Sequence, residues 1–79
     1  MNLETYFGMK YYFYIKMTTK EFLPYYQGTA QTIVVTSSKG LRLQFPAMHI
    51  RSYLKNDGIN GYFCLHTENN KFLSLTEVK

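Results

Sequence analysis

Cys64 and His66 are the residues whose types and spacing first invite a chemical reading, two side chains on one face of a strand-like run, with His49 the only other histidine. A metal centre needs three or four converging His, Cys or carboxylate ligands. No spacing brings His49 to the other two, and a pair of ligands two residues apart on a strand arises readily by accident, so no metal is expected. Nucleophilic catalysis has no better footing. Ser37, Ser38, Ser52 and Ser74 lack a nucleophile-elbow context, and Cys64 has no local signature of activation. The five acids fall mostly in turns, caps or termini, and Glu21 serves as a helix cap. Gly58 and Gly61 precede a strand instead of opening a helix, so they match neither a P-loop nor a dinucleotide fingerprint. The chain is therefore expected to be no enzyme and to need no cofactor.

A basic and aromatic set is the stronger candidate. Tyr12, Tyr14 and Lys16 alternate along one strand face, with Arg42 on a later strand and Arg51 and Lys55 nearby in sequence. Rings that stack on bases beside cations that hold phosphates make a surface for single-stranded nucleic acid. Tyr and Arg also concentrate binding energy in protein interfaces, and a Tyr-rich edge strand can pair with another chain. Of the two, a protein partner or self-association ranks first and nucleic acid second. The element order is close to that of an RNA-recognition motif. The third strand, however, carries Arg42 and Gln44 where that motif needs paired aromatics, and Lys39-Gly40-Leu41-Arg42 matches its signature only faintly, so that motif is not assigned.

Those residues need elements to position them. Tyr11, Phe13, Ile15 and Met17 alternate with Tyr12, Tyr14 and Lys16, which predicts a strand from Tyr11 with the first set facing the core. Thr18-Thr19-Lys20-Glu21 carries the capping-box pattern, so a helix should start there. Phe22, Leu23 and Tyr26 form its apolar stripe, Pro24 should leave it short, bent or partly 3-10, and Gly28 ends it. The β-branched run Thr29 to Ser37 predicts a second strand, and the turn residues Ser37 to Gly40 join it to a third, Leu41 to Phe45, with Leu41, Leu43 and Phe45 inward. Pro46 should stop that ladder and open a helix over Ala47 to Leu54. After the turn Lys55 to Gly58 and an irregular Ile59-Asn60-Gly61, a strand over Tyr62 to Thr67 is expected. A hairpin loop at Glu68 to Lys71 then leads to a last strand, with Phe72, Ser74 and Thr76 opposite Leu73, Leu75 and Glu77. The result is an α+β fold of order β-α-β-β-α-β-β. Its antiparallel sheet carries two short helices, either as a two-layer sandwich with both helices on one face or as a partly curled sheet.

At 79 residues the chain is one domain with little core to spare. Six Phe supply much of its burial, whereas eight Tyr and no Trp suit half-buried or contact positions. The net charge of +4 favours an acidic or polyanionic partner and is also an ordinary solubility charge for a small domain. A single cysteine rules out an intramolecular disulfide, and no apolar run reaches the roughly 18–20 residues of a membrane span. Nor does the N-terminus look like a signal peptide. A cytoplasmic protein without a membrane partner is expected. Residues 1–8 read as an N-terminal extension, or a misassigned start with Met9 as the functional one, ahead of a single domain over residues 9–79.

The sequence also resembles the domain of unknown function 2835 family, short proteins of gammaproteobacteria. The resemblance rests on Tyr12-Phe13, Glu21-Phe22-Leu23 with Tyr25-Tyr26 and Gly28, and Leu43-Gln44-Phe45-Pro46-Ala47 with Arg51. It continues through Gly58-Ile59 with Gly61 and Phe63, then Asn70 with Phe72 and Leu75. The Gln-Phe-Pro-Ala stretch is its most specific part. The chain departs from the family's pattern at Pro24, where a polar or basic residue is usual, and residues 1–8 lie outside it. The resemblance implies a bacterial cytoplasmic protein and brings no activity, partner or functional residue.

Overall fold

A computed structural model describes residues 8–79. The expected extension or misassigned start falls on residues 1–7, outside the described residues, except for Gly8. Gly8 already belongs to the first strand, β1 (Gly8–Met17), and pairs with Glu68. β1 thus starts three residues before the first strong alternating residue, because a long antiparallel partner carries the ladder that far.

α1 (Thr19–Gln27) follows at once. Thr18 Oγ1 accepts from Glu21 N–H at 3.1 Å while the Glu21 carboxylate accepts from Thr18 N–H at 2.8 Å, the reciprocal cap expected from the sequence. Gly28 closes the helix at φ 84°, donating its N–H to Tyr25 O. The helix is short yet stays α through Pro24, whose exposed position leaves the unserved carbonyl one turn earlier on the watered side. Its core stripe is Phe22 with half-buried Tyr25, their rings 5.6 Å apart, while Leu23 and Tyr26 face water. Pairing by i, i+3 thus replaces the expected 22/23/26 stripe.

β2 (Thr32–Thr36) and β3 (Arg42–Pro46) form an antiparallel hairpin with Ile33 opposite Phe45 and Val35 opposite Leu43. The Ser37 hydroxyl accepts from Lys39 and Leu41 N–H at its base, and Gly40 supplies the left-handed residue at φ 84°. Leu41 falls in this loop and is exposed, against the expectation that it joins Leu43 and Phe45 inside. Pro46 does end the ladder, from within it and one residue later than expected. It pairs with Thr32 as the last strand residue, and Ala47 N–H still bonds Gln31 O at 2.8 Å.

In place of a second α-helix, two successive 3-10 turns cover Ala47–His49 and Arg51–Tyr53. With three residues per turn, Ala47, Ile50 and Tyr53 line up on one side, where the first two are buried and the third is half-buried. An α-helix would rotate that row away from the core. The turn Lys55 to Gly58 then closes with reciprocal backbone bonds of 2.9 and 3.0 Å. Gly58 is obligatory there: at φ 108° a Cβ would sit 2.1 Å from Met17 O, so only a bare backbone lets the turn cross the β1–α1 junction.

β4 (Ile59–Glu68) absorbs the segment expected to be irregular, pairing Ile59 with Met17 and Gly61 with Ile15. A two-residue loop, Asn69 and Asn70 at φ 54° and 64°, turns it into β5 (Lys71–Glu77). Simple alternation sets Phe72 and Leu75 on opposite faces, and the structure corrects this. Thr67 pairs with Phe72 but His66 with Ser74, so Leu73 is an extra, bulged residue. The bulge returns both Phe72 and Leu75 to the core side and leaves Leu73 exposed.

The strands make two sheets, not one. β4 lies centrally between β1 and β5, and the β2-β3 hairpin is a sheet of its own. Between them sits one core in which Phe13, fully buried, stacks on its cross-strand partner Phe63 at 5.8 Å and reaches Phe45 of the hairpin at 5.7 Å. Phe22, Ile33, Ile50, Ile59 and Leu65 complete it. The α+β expectation holds at the level of small antiparallel sheets with short helical segments. No helix among the described residues is long and apolar enough to cross a membrane.

Candidate binding face

The hairpin, α1 and the 3-10 turns all pack on the side of the β1-β4-β5 sheet that carries Phe13, Ile15, Phe63 and Leu65. Among the described residues, no layer packs over the opposite side. Period-2 alternation sends Lys10, Tyr12, Tyr14 and Lys16 there from β1, and the antiparallel register sets Tyr12 beside Cys64, Tyr14 beside Tyr62 and Lys16 beside Asn60. The Tyr12 and Tyr62 rings are near-parallel, at 14° and 6.0 Å, a diagonal cross-strand pair, and the Tyr14 hydroxyl donates to Asn60 Oδ1. Tyr12 and Tyr62 remain 37% exposed and Tyr14 58%, so three rings lie open side by side. Tyrosine suits such a place because the ring can pack while the hydroxyl stays in water. Cys64 is buried beneath them, and its thiol, by a side-chain hydrogen bond and then by charge repulsion, pushes the Tyr12 phenol above its ordinary value. The shift favours the neutral phenol at Tyr12, and the formal charges that β1 brings to the face are those of Lys10 and Lys16.

Not all of the candidate residues meet. Tyr12, Tyr14 and Lys16 share the open face, whereas Arg42 lies outward on the hairpin, with the core between it and the tyrosines. Arg51 holds its guanidinium 4.3 Å from the centre of the Tyr26 ring, at a groove of about 420 Å³ also lined by Tyr25, Pro46 and Met48. Lys55 lines a hollow of about 180 Å³ together with Asp57 and Glu77. Local sequence could not order these, since which face a hairpin turns outward depends on the layer it packs against. Two residues outside the candidate set, Lys10 and Tyr62, join Tyr12, Tyr14 and Lys16 on the open face. The alternation that exposes Tyr12 also exposes Lys10 two residues earlier, whereas Tyr62 required the β1–β4 register.

The other chemical candidates disperse. His49 stacks on Phe72 at 3.6 Å and 10°, on the core side of the sheet, while Cys64 and His66 project from the other. No three His, Cys, Asp or Glu side chains converge among the described residues.

The two outer strand edges are met at mid-strand. Ser38 N–H donates to Tyr12 O at 2.7 Å on the side of β1 away from β4, and the Tyr53 hydroxyl donates to Leu75 O at 3.1 Å on β5. An incoming strand finds these carbonyls taken.

A sequence profile built for one protein family matches residues 9–78, from the second residue of β1 to just past β5. The chain belongs to the family described as protein of unknown function (DUF2835). The match spans both sheets of the DUF2835 domain, so the open face and the core beneath it belong to the same family unit. No curated protein and no solved structure matches the chain.

Proposed function

We propose that this DUF2835 chain is a non-catalytic binding module whose ligand lies across the uncovered face of the β1-β4-β5 sheet. The observation that carries the reading is the exposure of Tyr12, Tyr14 and Tyr62 together, on a face that no other element among the described residues covers. Aromatic area left in water gains nothing for folding and is what binding surfaces are enriched in. The strand edges, by contrast, are occupied at Tyr12 O and Leu75 O, which argues for ligands that meet the face over partners that extend the sheet. The test is capture from cell lysate on the immobilised chain. The wild type should retain material that a Tyr14→Ser/Tyr62→Ser variant with unchanged circular dichroism does not, and equal retention by both would end the reading.

A second reading, a protein partner or a second copy of the chain, has its own support away from the tyrosine face. Leu23, Tyr26 and Met48 are 45%, 51% and 72% exposed, and two of them line the groove beside Arg51. Sedimentation equilibrium separates self-association from the rest: a monomer at high concentration removes the second copy. A cytoplasmic, bacterial setting accompanies both readings as part of the proposal.

A further inference from the structure

The open face has a charge pattern as well as an aromatic one, and the pattern narrows the ligand. Lys10 and Lys16 stand at the two ends of the tyrosine row on β1, about 20 Å apart at some 3.3 Å per residue of strand. Among the described residues no carboxylate faces outward between them: their neighbours across the ladder are His66, Cys64, Tyr62 and Asn60, and Glu68, just beyond Lys10 on the same face, lies opposite Lys71 on its other side. Cations at the ends and uncharged rings in the middle complement a chain that is anionic along its backbone and aromatic along its side groups. From this complementarity we infer that the face binds single-stranded nucleic acid, with bases stacked on Tyr12, Tyr62 and Tyr14 and flanking phosphates held by Lys10 and Lys16.

The inference rests on the binding-face reading and adds the ligand to it. Every base offers a π face to an open ring, so stacking of this kind tolerates sequence. A duplex hides those faces in its own stack and leaves the tyrosines only grooves and phosphates to meet. An acidic protein segment could satisfy the lysines, but it would bring no regular series of flat groups to three adjacent rings. Small aromatic platforms on sheets commonly take two or three bases, which agrees with three tyrosines between two lysines.

The test is fluorescence anisotropy on the whole chain with labelled oligouridylate and oligothymidylate of about eight nucleotides, within the span a small single-strand-binding domain covers, and a duplex of equal length. The single strands should bind more tightly than the duplex. With two phosphates neutralised, log K should fall against log salt with a slope of about −1.4, and Lys10→Gln or Lys16→Gln should each reduce it by about 0.7. Tyr14→Ser or Tyr62→Ser should weaken binding roughly 5- to 150-fold, the loss expected per stacked base. Tyr14→Phe should bind nearly as the wild type does, because it keeps the ring, and it guards against a variant that fails for lack of the Asn60 contact. No binding at tens of micromolar in low salt overturns the nucleic-acid inference and leaves the face reading to its lysate comparison. Binding that ignores the tyrosines but is lost in Arg42→Gln or Arg51→Gln overturns both, by moving the site off the face.

Discussion

The two sides of the β1-β4-β5 sheet are built from the same strands, residue by alternate residue, and differ in how they use aromatic rings. On one side Phe13 and Phe63 are at most 1% exposed and touch a second layer through Phe45. On the other, one position along each strand, Tyr12, Tyr14 and Tyr62 have similar rings and, among the described residues, no layer to meet. The phenylalanines contribute through the hydrophobic effect, roughly 25 cal/mol for each Å² of apolar area removed from water, whereas the tyrosines keep much of theirs wet. A domain of 79 residues has little stability to spare, so an aromatic row outside the core is informative about function.

Substitutions can break or sharpen this contrast. The largest effect belongs to Phe13→Ala, which removes the ring shared by sheet and hairpin and should cost about 3–5 kcal/mol in urea denaturation. Tyr14→Ser, its neighbour on the open side, should change stability by no more than about 1 kcal/mol. Comparable losses at both positions would erase the distinction between the faces. Thr67→Val is a smaller test of the packed side. The Thr67 hydroxyl, beside the bulge at Leu73, is buried without a hydrogen-bond partner among the described residues. Removing it should leave stability unchanged or raise it by up to about 1 kcal/mol, since an unsatisfied buried group is a cost. A clear loss would mean that the hydroxyl has a partner. Cys64→Ala probes the open side at the finest scale. With the thiol gone, the Tyr12 phenol should titrate closer to its ordinary value in an ultraviolet pH titration, and an unmoved titration would separate Tyr12 from Cys64.

What the sequence disclosed and what it withheld divide along the range of the interactions involved. The Thr18/Glu21 cap, the Asn69-Asn70 turn and the two faces of β1 all depend on residues within a few positions of one another, and all three stand. The bulge at Leu73 depends on where β4 lies, so alternation alone misplaced Phe72 and Leu75. Ile59-Asn60-Gly61 carries two weak strand formers, and only the partner β1 makes it a strand. The short segment after Pro46 takes 3-10 geometry because the core selects the row Ala47, Ile50, Tyr53. Half of the candidate set, Tyr12, Tyr14 and Lys16, was placed together by simple alternation. Arg42, Arg51 and Lys55 scattered because sequence proximity says nothing about which layer stands between two side chains.

The most direct test of the account is a nuclear magnetic resonance titration of the isotopically labelled chain with a single-stranded oligonucleotide, following every backbone amide. The account predicts shifts concentrated at Lys10 to Lys16 and Asn60 to His66, with Arg42 to Pro46 and the turns around Arg51 left in place. Shifts confined to the hairpin or to the Tyr26 and Arg51 groove, or none at all at low salt, would contradict it.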